Sequence, residues 1–348
     1  MAEIQKYFEQ FHGIIKLNRF DENAELREKR DIVTDKLRAG LKKQFEDKDE
    51  SCPKFDWFNQ GSYEYDTGIQ PSLKGDFDID VGIRFHLDKN KNKPVEVKEW
   101  VYEALRNHTN KVEVCRPCVT VFYQKNNESL YHVDLAIYCQ IESSCPNYLA
   151  LGKSGSKPEN KVWEDADPDG LKNYIKDRFS EDDKLQFKRV VRYIKRWRDV
   201  NFPSDGQAAP ISIGLTLAAC NWGIPKKNWE GKYNDCEALL NLTESMISSF
   251  SYRYSEADQS SANRLEIKLP VKPYQDVFKR MSNKQMETFK DKLLLLKNAL
   301  QEAKTIADPH DACKILKKYF GDDFPVPSKT QAAQKTNSPG ILNSGDSA

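Results

Sequence analysis

Three aspartates carry the chemistry this sequence offers. Asp78 and Asp80 stand two positions apart in Phe77-Asp78-Ile79-Asp80-Val81-Gly82-Ile83. Side chains at i and i+2 of a strand share a face, about 7 Å apart at ~3.3 Å rise per residue. Asp134 follows in His132-Val133-Asp134-Leu135-Ala136-Ile137, where Val133, Leu135 and Ile137 take one face and Asp134 the other. If these segments are neighbouring strands, three carboxylates meet in the oxygen-rich surroundings that Mg²⁺ prefers, with room for water and a substrate phosphate. Two-metal phosphoryl chemistry requires such a site. One aspartate on an amphipathic strand is ordinarily a solvent-facing residue, so the argument rests on the combination. Asp76 has the same parity, which leaves Asp76–Asp78 open as an alternative pair. Upstream, Gly61 permits a tight turn within Gln60-Gly61-Ser62, and the amides around Ser62 with its hydroxyl can donate to triphosphate oxygens.

Elements must hold these residues in place. Ile4, Phe8, Phe11 and Ile15 predict a helix over 2–18, and Leu26, Val33, Leu37, Leu41 and Phe45 predict another over 24–46. Phe77, Ile79, Val81, Ile83 and Phe85 alternate with polar or small residues, as a half-buried strand does. A helix over 96–107 and strands over 112–123 and 131–138 complete a mixed α and β segment. Residues 152–169 are rich in Gly, Ser, Pro and charge, and read as an exposed connection. Beyond it the periodicity is helical over 169–178, 181–200, 210–222, 235–248, 274–281 and 283–307. The expected organisation is therefore N-terminal helices and a catalytic core over 1–165, a helical domain over 166–327, and a disordered tail over 328–348 too poor in apolar side chains to offset ordering entropy.

Together, Gln60-Gly61-Ser62, Asp78-Ile79-Asp80 and His132-Val133-Asp134-Leu135 resemble the Gly-Ser, Asp-x-Asp and third-Asp motifs of polymerase-β-like nucleotidyltransferases. More narrowly they resemble the bacterial cGAS/DncV-like nucleotidyltransferases of anti-phage systems. Arg192-Tyr193-Ile194-Lys195-Arg196-Trp197, followed by Pro210-Ile211-Ser212, is similar to the helical Lys and Pro-x-Ser elements that grip the donor triphosphate in that family. The likeness covers about 5–327 and ends in Phe320-Gly321-Asp322-Asp323-Phe324. It implies an α+β fold of two lobes with the active site between them. Because the family places its pair inside the strand, it selects Asp78 and Asp80 over Asp76.

The resemblance also implies roles. Asp78, Asp80 and Asp134 would hold two Mg²⁺ ions, Mn²⁺ substituting, with Asp134 nearest the attacking hydroxyl. Gln60, Gly61, Ser62, Lys195 and Ser212 would bind substrate. Nucleoside triphosphates would become a cyclic or short linear oligonucleotide messenger that acts on a separate effector in anti-phage defence. Conjugation of the C-terminal tail by ubiquitin-like transfer enzymes is a further implication. The alternatives are a template-independent polymerase acting on RNA ends and a non-catalytic nucleotide-binding relative.

Composition narrows these choices. With 54 Lys+Arg against 53 Asp+Glu, a net charge of +1 over 348 residues gives no chain-wide field for a long polyanion. The longest apolar stretch, 211–224, is too short to span a bilayer, and the charged start MAEIQKYFEQ lacks a signal-peptide core, so a cytoplasmic protein is expected. Of the eight cysteines, Cys115, Cys118, Cys139 and Cys145 have the count of a zinc site, but the odd offset of the first pair predicts opposite strand faces. His132 reads as a sheet-surface residue. On the helix over 183–199, Phe187, Val190, Ile194 and Trp197 form a core stripe, leaving Lys184, Lys188, Arg189, Arg192, Lys195, Arg196 and Arg198 as a solvated face or a phosphate-binding one. Tyr63 and Tyr65 flank the Gly-Ser turn and are candidates for stacking on a base.

Overall fold

The computed structural model describes residues 3–17, 24–71, 77–125, 128–202 and 209–329. Asp76 and residues 330–348 of the expected tail lie outside them.

A mixed sheet holds the aspartates. β2 (Phe77–Phe85) and β5 (Glu128–Cys139) run parallel at its centre, and the order is β1 (Phe55–Asn59), β2, β5, β4 (Cys118–Lys125), β3 (Lys111–Val114). Ile79, Val81, Ile83, Val133, Leu135 and Ile137 are fully buried, because this alternation turns them against α2 (Ala24–Glu46) and α4 (Pro94–Leu105). The other parity faces a cleft. At Gly82 an added Cβ would lie 2.2 Å from the Phe58 ring, so no larger residue fits there without displacing β1.

The sequence-predicted strand over 112–123 is two strands, since Pro117 interrupts the ladder and Cys115 N–H closes a turn onto Cys118 O. Within the expected exposed connection, β7 (Trp163–Ala166) pairs with β6 (Asn147–Ala150), and β6 pairs with the end of β5.

A second core gathers the remaining helices: α1 (Gln5–Ile15), α5 (Pro168–Lys176), α6 (Glu181–Asn201), α7 (Ser212–Trp222), α8 (Asp235–Ser248), α9 (Asn283–Thr305) and α10 (Pro309–Phe320). Phe8 and Phe11 of α1 pack on Tyr193, Phe320 and Phe324, with ring centroids 5.0–6.3 Å apart. Among the described residues, the first helix therefore packs with the last.

One helical expectation is corrected, and the expected helical domain also holds two strands. Residues 251–264 form a hairpin, β8 (Ser251–Ser255) and β9 (Ser260–Arg264). Residues 274–281 are irregular, because the Asp276 carboxylate accepts from the Ile267 and Phe278 amides and ties the segment into turns instead of a helix. Among the described residues no helix is long and apolar enough to cross a membrane.

Candidate active site

Register brings the three aspartates together. In the parallel β2–β5 pair, Asp78 stands beside His132 and Asp80 beside Asp134, while Thr120 of β4 faces Asp134 from the other side. The Thr120 hydroxyl donates to Asp134 Oδ1 at 2.6 Å. His132 Nε2 lies 3.2 Å from Asp78 Oδ1. Ligand atoms of Asp78, His132 and Asp134 all fall within 4.8 Å of one another, so His132 belongs to the acidic cluster and is not merely a surface residue of the sheet.

The carboxylates disturb one another. Burial, then the charges of Asp78 and Asp134, push the Asp80 carboxyl well above the usual carboxylate range, against the opposing pull of His132 and Lys195. Asp134 is also raised, chiefly by burial and then by Asp78, and its bond from Thr120 restrains the shift. Gly61 presses on this group. Its φ is +67°, and a Cβ would stand 1.8 Å from Asp80 Oδ2, so both the backbone angle and the contact demand glycine. Gln60 N–H donates to Asp80 O at 3.3 Å, and Gln60 Oε1 accepts from the Tyr138 hydroxyl at 3.1 Å. Ser62 follows in the short helix α3 (Gly61–Glu64).

Across the cleft stand Lys195 and Ser212. Lys195 is 4% exposed and donates to Thr67 O at 3.1 Å and Thr67 Oγ1 at 3.2 Å. Burial, then Arg198 and Arg192, lower its pKa to about 7. The Ser212 hydroxyl accepts from Arg198. Both line a cleft of about 410 Å³ together with Gln60, Gly61, Ser62, Asp78 and Asp80. Asp134 is not part of that lining; it adjoins Asp80 in the sheet.

Most of the basic run on α6 does other work. Arg192 donates to Gly68 O, Asp66 O and Asp66 Oδ1 at 2.7–3.0 Å, Arg196 to Gln70 O at 2.7 Å, and Lys188 to Asp66 Oδ2 at 2.8 Å. Arg189 grips Asp235 with two bonds of 2.6 and 2.8 Å. Arg192 and Arg196 are buried. The expected wet or polyanion-binding face is instead a clamp on residues 66–70, just past the Gly-Ser turn.

Other residues settle differently from their sequence signals. Tyr63 is buried in the sheet core, whereas Tyr65, also buried, lines the cleft. Cys115 and Cys118 both reach the Thr120 hydroxyl, at 3.6 and 3.5 Å, because Cys115 sits in the turn and not in a strand. Thr120, Tyr138, Glu164 and Gln275 escaped the sequence reading. For Tyr138 a signal existed, since Asp134, Ala136 and Tyr138 continue one parity.

Residues 53–138 match the family model for the nucleotidyltransferase domain of DncV-like cyclic GMP-AMP synthases. A cyclic GMP-AMP synthase of Escherichia albertii is 28% identical over 194 residues, which is 54% of this chain and 40% of that protein, so the chain spans less than half of this relative. A c-di-GMP synthase of Roseivirga ehrenbergii is 23% identical over 320 residues, 83% of this chain and 79% of that protein. Among solved structures, Vibrio cholerae DncV with nonhydrolyzable GTP superposes with a TM-score of 0.72 at 18% identity, covering 95% of this chain and 100% of that one. Bradyrhizobium diazoefficiens CdnG with GTP gives 0.67 at 15% identity, covering 91% and 95%. Residues 53–138 thus match a DncV-like nucleotidyltransferase domain, and the chain as a whole shares the fold of these solved structures, a mixed sheet with a helical C-terminal part.

Proposed function

We propose that this chain joins nucleoside triphosphates into a cyclic di- or trinucleotide, releasing pyrophosphate at each bond. The observation that carries this reading is the β2–β5 register, which sets Asp80 against Asp134 beside a Gly61-Ser62 turn and opposite Lys195 and Ser212. Both curated relatives are named for guanine-containing products, and we take GTP as one substrate.

The acidic cluster suits a divalent cation. Its donors are hard carboxylate oxygens with one imidazole, and Asp80 is held between two like charges whose repulsion a cation would relieve. Asp78, Asp80 and Asp134 would hold Mg²⁺, or Mn²⁺ in its place. Bound there, the metal would supply polarisation of the attacking hydroxyl and neutralisation of phosphate charge.

The chain's own groups do the rest. Thr120 fixes one oxygen of Asp134 and leaves the other to accept the proton of the acceptor ribose hydroxyl. The raised affinity of Asp134 for a proton suits that role. Ser62 and the amides of its turn bind the donor phosphates from the sheet side, and Lys195 with Ser212 binds them from the helical side. Closing a ring requires the linear product to turn within the same cleft and present its own hydroxyl. The cyclic product would act on a separate effector in anti-phage defence, and the net charge of only +1 suits a cytoplasmic enzyme whose substrates are single nucleotides.

Incubating the protein with labelled NTPs and Mg²⁺ or Mn²⁺, followed by phosphatase, tests the reading. A small phosphatase-resistant product is expected. A ladder of linear products would indicate a polymerase, and no turnover with either metal would indicate a binding module.

A further inference from the structure

The cleft face of the sheet continues beyond the catalytic aspartates. Asp134, Ala136 and Tyr138 share one face of β5, and Tyr138 lies four residues past Asp134, roughly 13 Å along the strand at about 3.3 Å per residue. At that point β6 and β7 extend the sheet: Tyr138 is paired with Leu149, and Leu149 with Glu164. Cross-strand partners project to the same side. Glu164 is therefore on the face that carries Asp134, two strands across from the level of Tyr138.

Glu164 lines the cleft, with one hydrogen bond to its carboxylate and the Arg116 guanidinium within electrostatic reach. Its Oε2 accepts from Gln275 Nε2 at 3.2 Å, and Gln275 belongs to the irregular segment that forms the facing wall. No bond to Oε1 occurs among the described residues. Leu149, Leu269 and Val271 line the cleft nearby and supply apolar surface for the flat faces of a base.

We propose that Glu164 is the residue that reads guanine. The inference rests on the nucleotidyltransferase reading and names the base that the far end of the cleft selects. A carboxylate only accepts hydrogen bonds. Guanine presents two adjacent donors, N1–H and the 2-amino group, which match the two carboxylate oxygens. Adenine and cytosine set a ring-nitrogen acceptor beside their amino group, and that acceptor would face a carboxylate lone pair. Uracil sets its single N–H between two carbonyls. A buried acceptor left without donors is costly, so the wrong base is rejected as well as the right one held.

Calorimetric titrations of GTP, ITP and ATP, with Ca²⁺ replacing Mg²⁺ to hold turnover off, test this on the full chain. ITP keeps N1–H and lacks only the 2-amino group. Wild type is expected to bind GTP about tenfold or more tighter than ITP or ATP, the range for one charge-assisted bond. In Glu164→Gln, which still offers Gln275 an acceptor, both ratios should fall to within about threefold. Gln275→Ala, which leaves the Glu164 carboxylate in place, should keep them. A wild type without guanine preference, or a Glu164→Gln protein that retains it, overturns the proposal. Parallel incubations with Mg²⁺ separate the two readings. A cyclic product made with unchanged base choice in Glu164→Gln sinks the inference alone. Glu164-dependent GTP binding without any product sinks the synthase reading alone.

Discussion

Two charged surfaces face each other across this molecule, and they are built on opposite rules. On the sheet, Asp78, Asp80 and Asp134 are gathered with one another, and burial first, then their mutual charges, hold the Asp80 and Asp134 carboxyls above their ordinary range. On α6, Arg189, Arg192 and Arg196 are dispersed among acceptors: Asp235, Asp66, Gly68 O and Gln70 O. Arg192, buried and satisfied in this way, is structural, and with Arg196 it holds the segment that follows Ser62. Carboxylates gathered on one face carry an electrostatic cost, and such a cost is kept where a ligand is to relieve it. Lys195 stands between the two cases, since it is buried like its neighbours on α6 yet lines the cleft.

The largest effect should come from the acidic side. Asp78→Asn with Asp80→Asn is expected to lower pyrophosphate release by about 10³-fold or more. Melting temperature should stay the same or rise at neutral pH. The sign follows from the direction of the shift: a carboxyl whose folded pKa is raised costs stability once pH exceeds its unfolded pKa, and a neutral amide removes that cost. A double variant that melts lower and still turns over would mean that these aspartates are ordinary surface residues.

The basic side should respond in stability first. Arg192→Leu leaves the oxygens of Asp66 and Gly68 short of donors and is expected to cost about 3 kcal/mol or more in urea unfolding. Lys188→Met removes a more exposed partner of the same Asp66 and should cost less than about 1 kcal/mol. Equal losses in the two variants would break the distinction between the buried clamp and its part-buried neighbour.

The sequence made the acidic side legible and the basic side illegible, for physical reasons. Strand parity is local, so Asp78-Ile79-Asp80 and Val133-Asp134-Leu135 announce their faces wherever the strands go. Strand 77–85 and helix 235–248 match their expected limits. Arg192 and Arg196 donate to backbone carbonyls more than 120 positions away, and no periodicity encodes such a partner. The hairpin over 251–264 escaped because Tyr252 and Tyr254 are exposed and its partner strand Ser260–Arg264 carries almost no apolar residue, so the segment lacks the alternation that burial imposes. His132 and Glu164 share the cause seen on α6: their importance lies in cross-strand neighbours, Asp78 for the first and Leu149 for the second.

A pH-dependent effect sharpens the intermediate status of Lys195. With a pKa near 7 it is charged below neutrality and largely neutral by pH 9 in the free protein. A bound triphosphate favours the ammonium form, so binding above pH 7 must take up a proton. Affinity should then weaken by up to about tenfold per pH unit between pH 7.5 and 9 until the pKa of the bound state is reached. Stability should move the other way. The lysine binds fewer protons folded than unfolded between about 7 and its ordinary value of 10.5, so folding free energy improves as pH rises through that window. Lys195→Met should bind nucleotide about tenfold more weakly at pH 7 and lose both slopes. Parallel pH profiles for wild type and Lys195→Met would place Lys195 with Arg192 as part of the clamp and leave the triphosphate to Ser62 and Ser212.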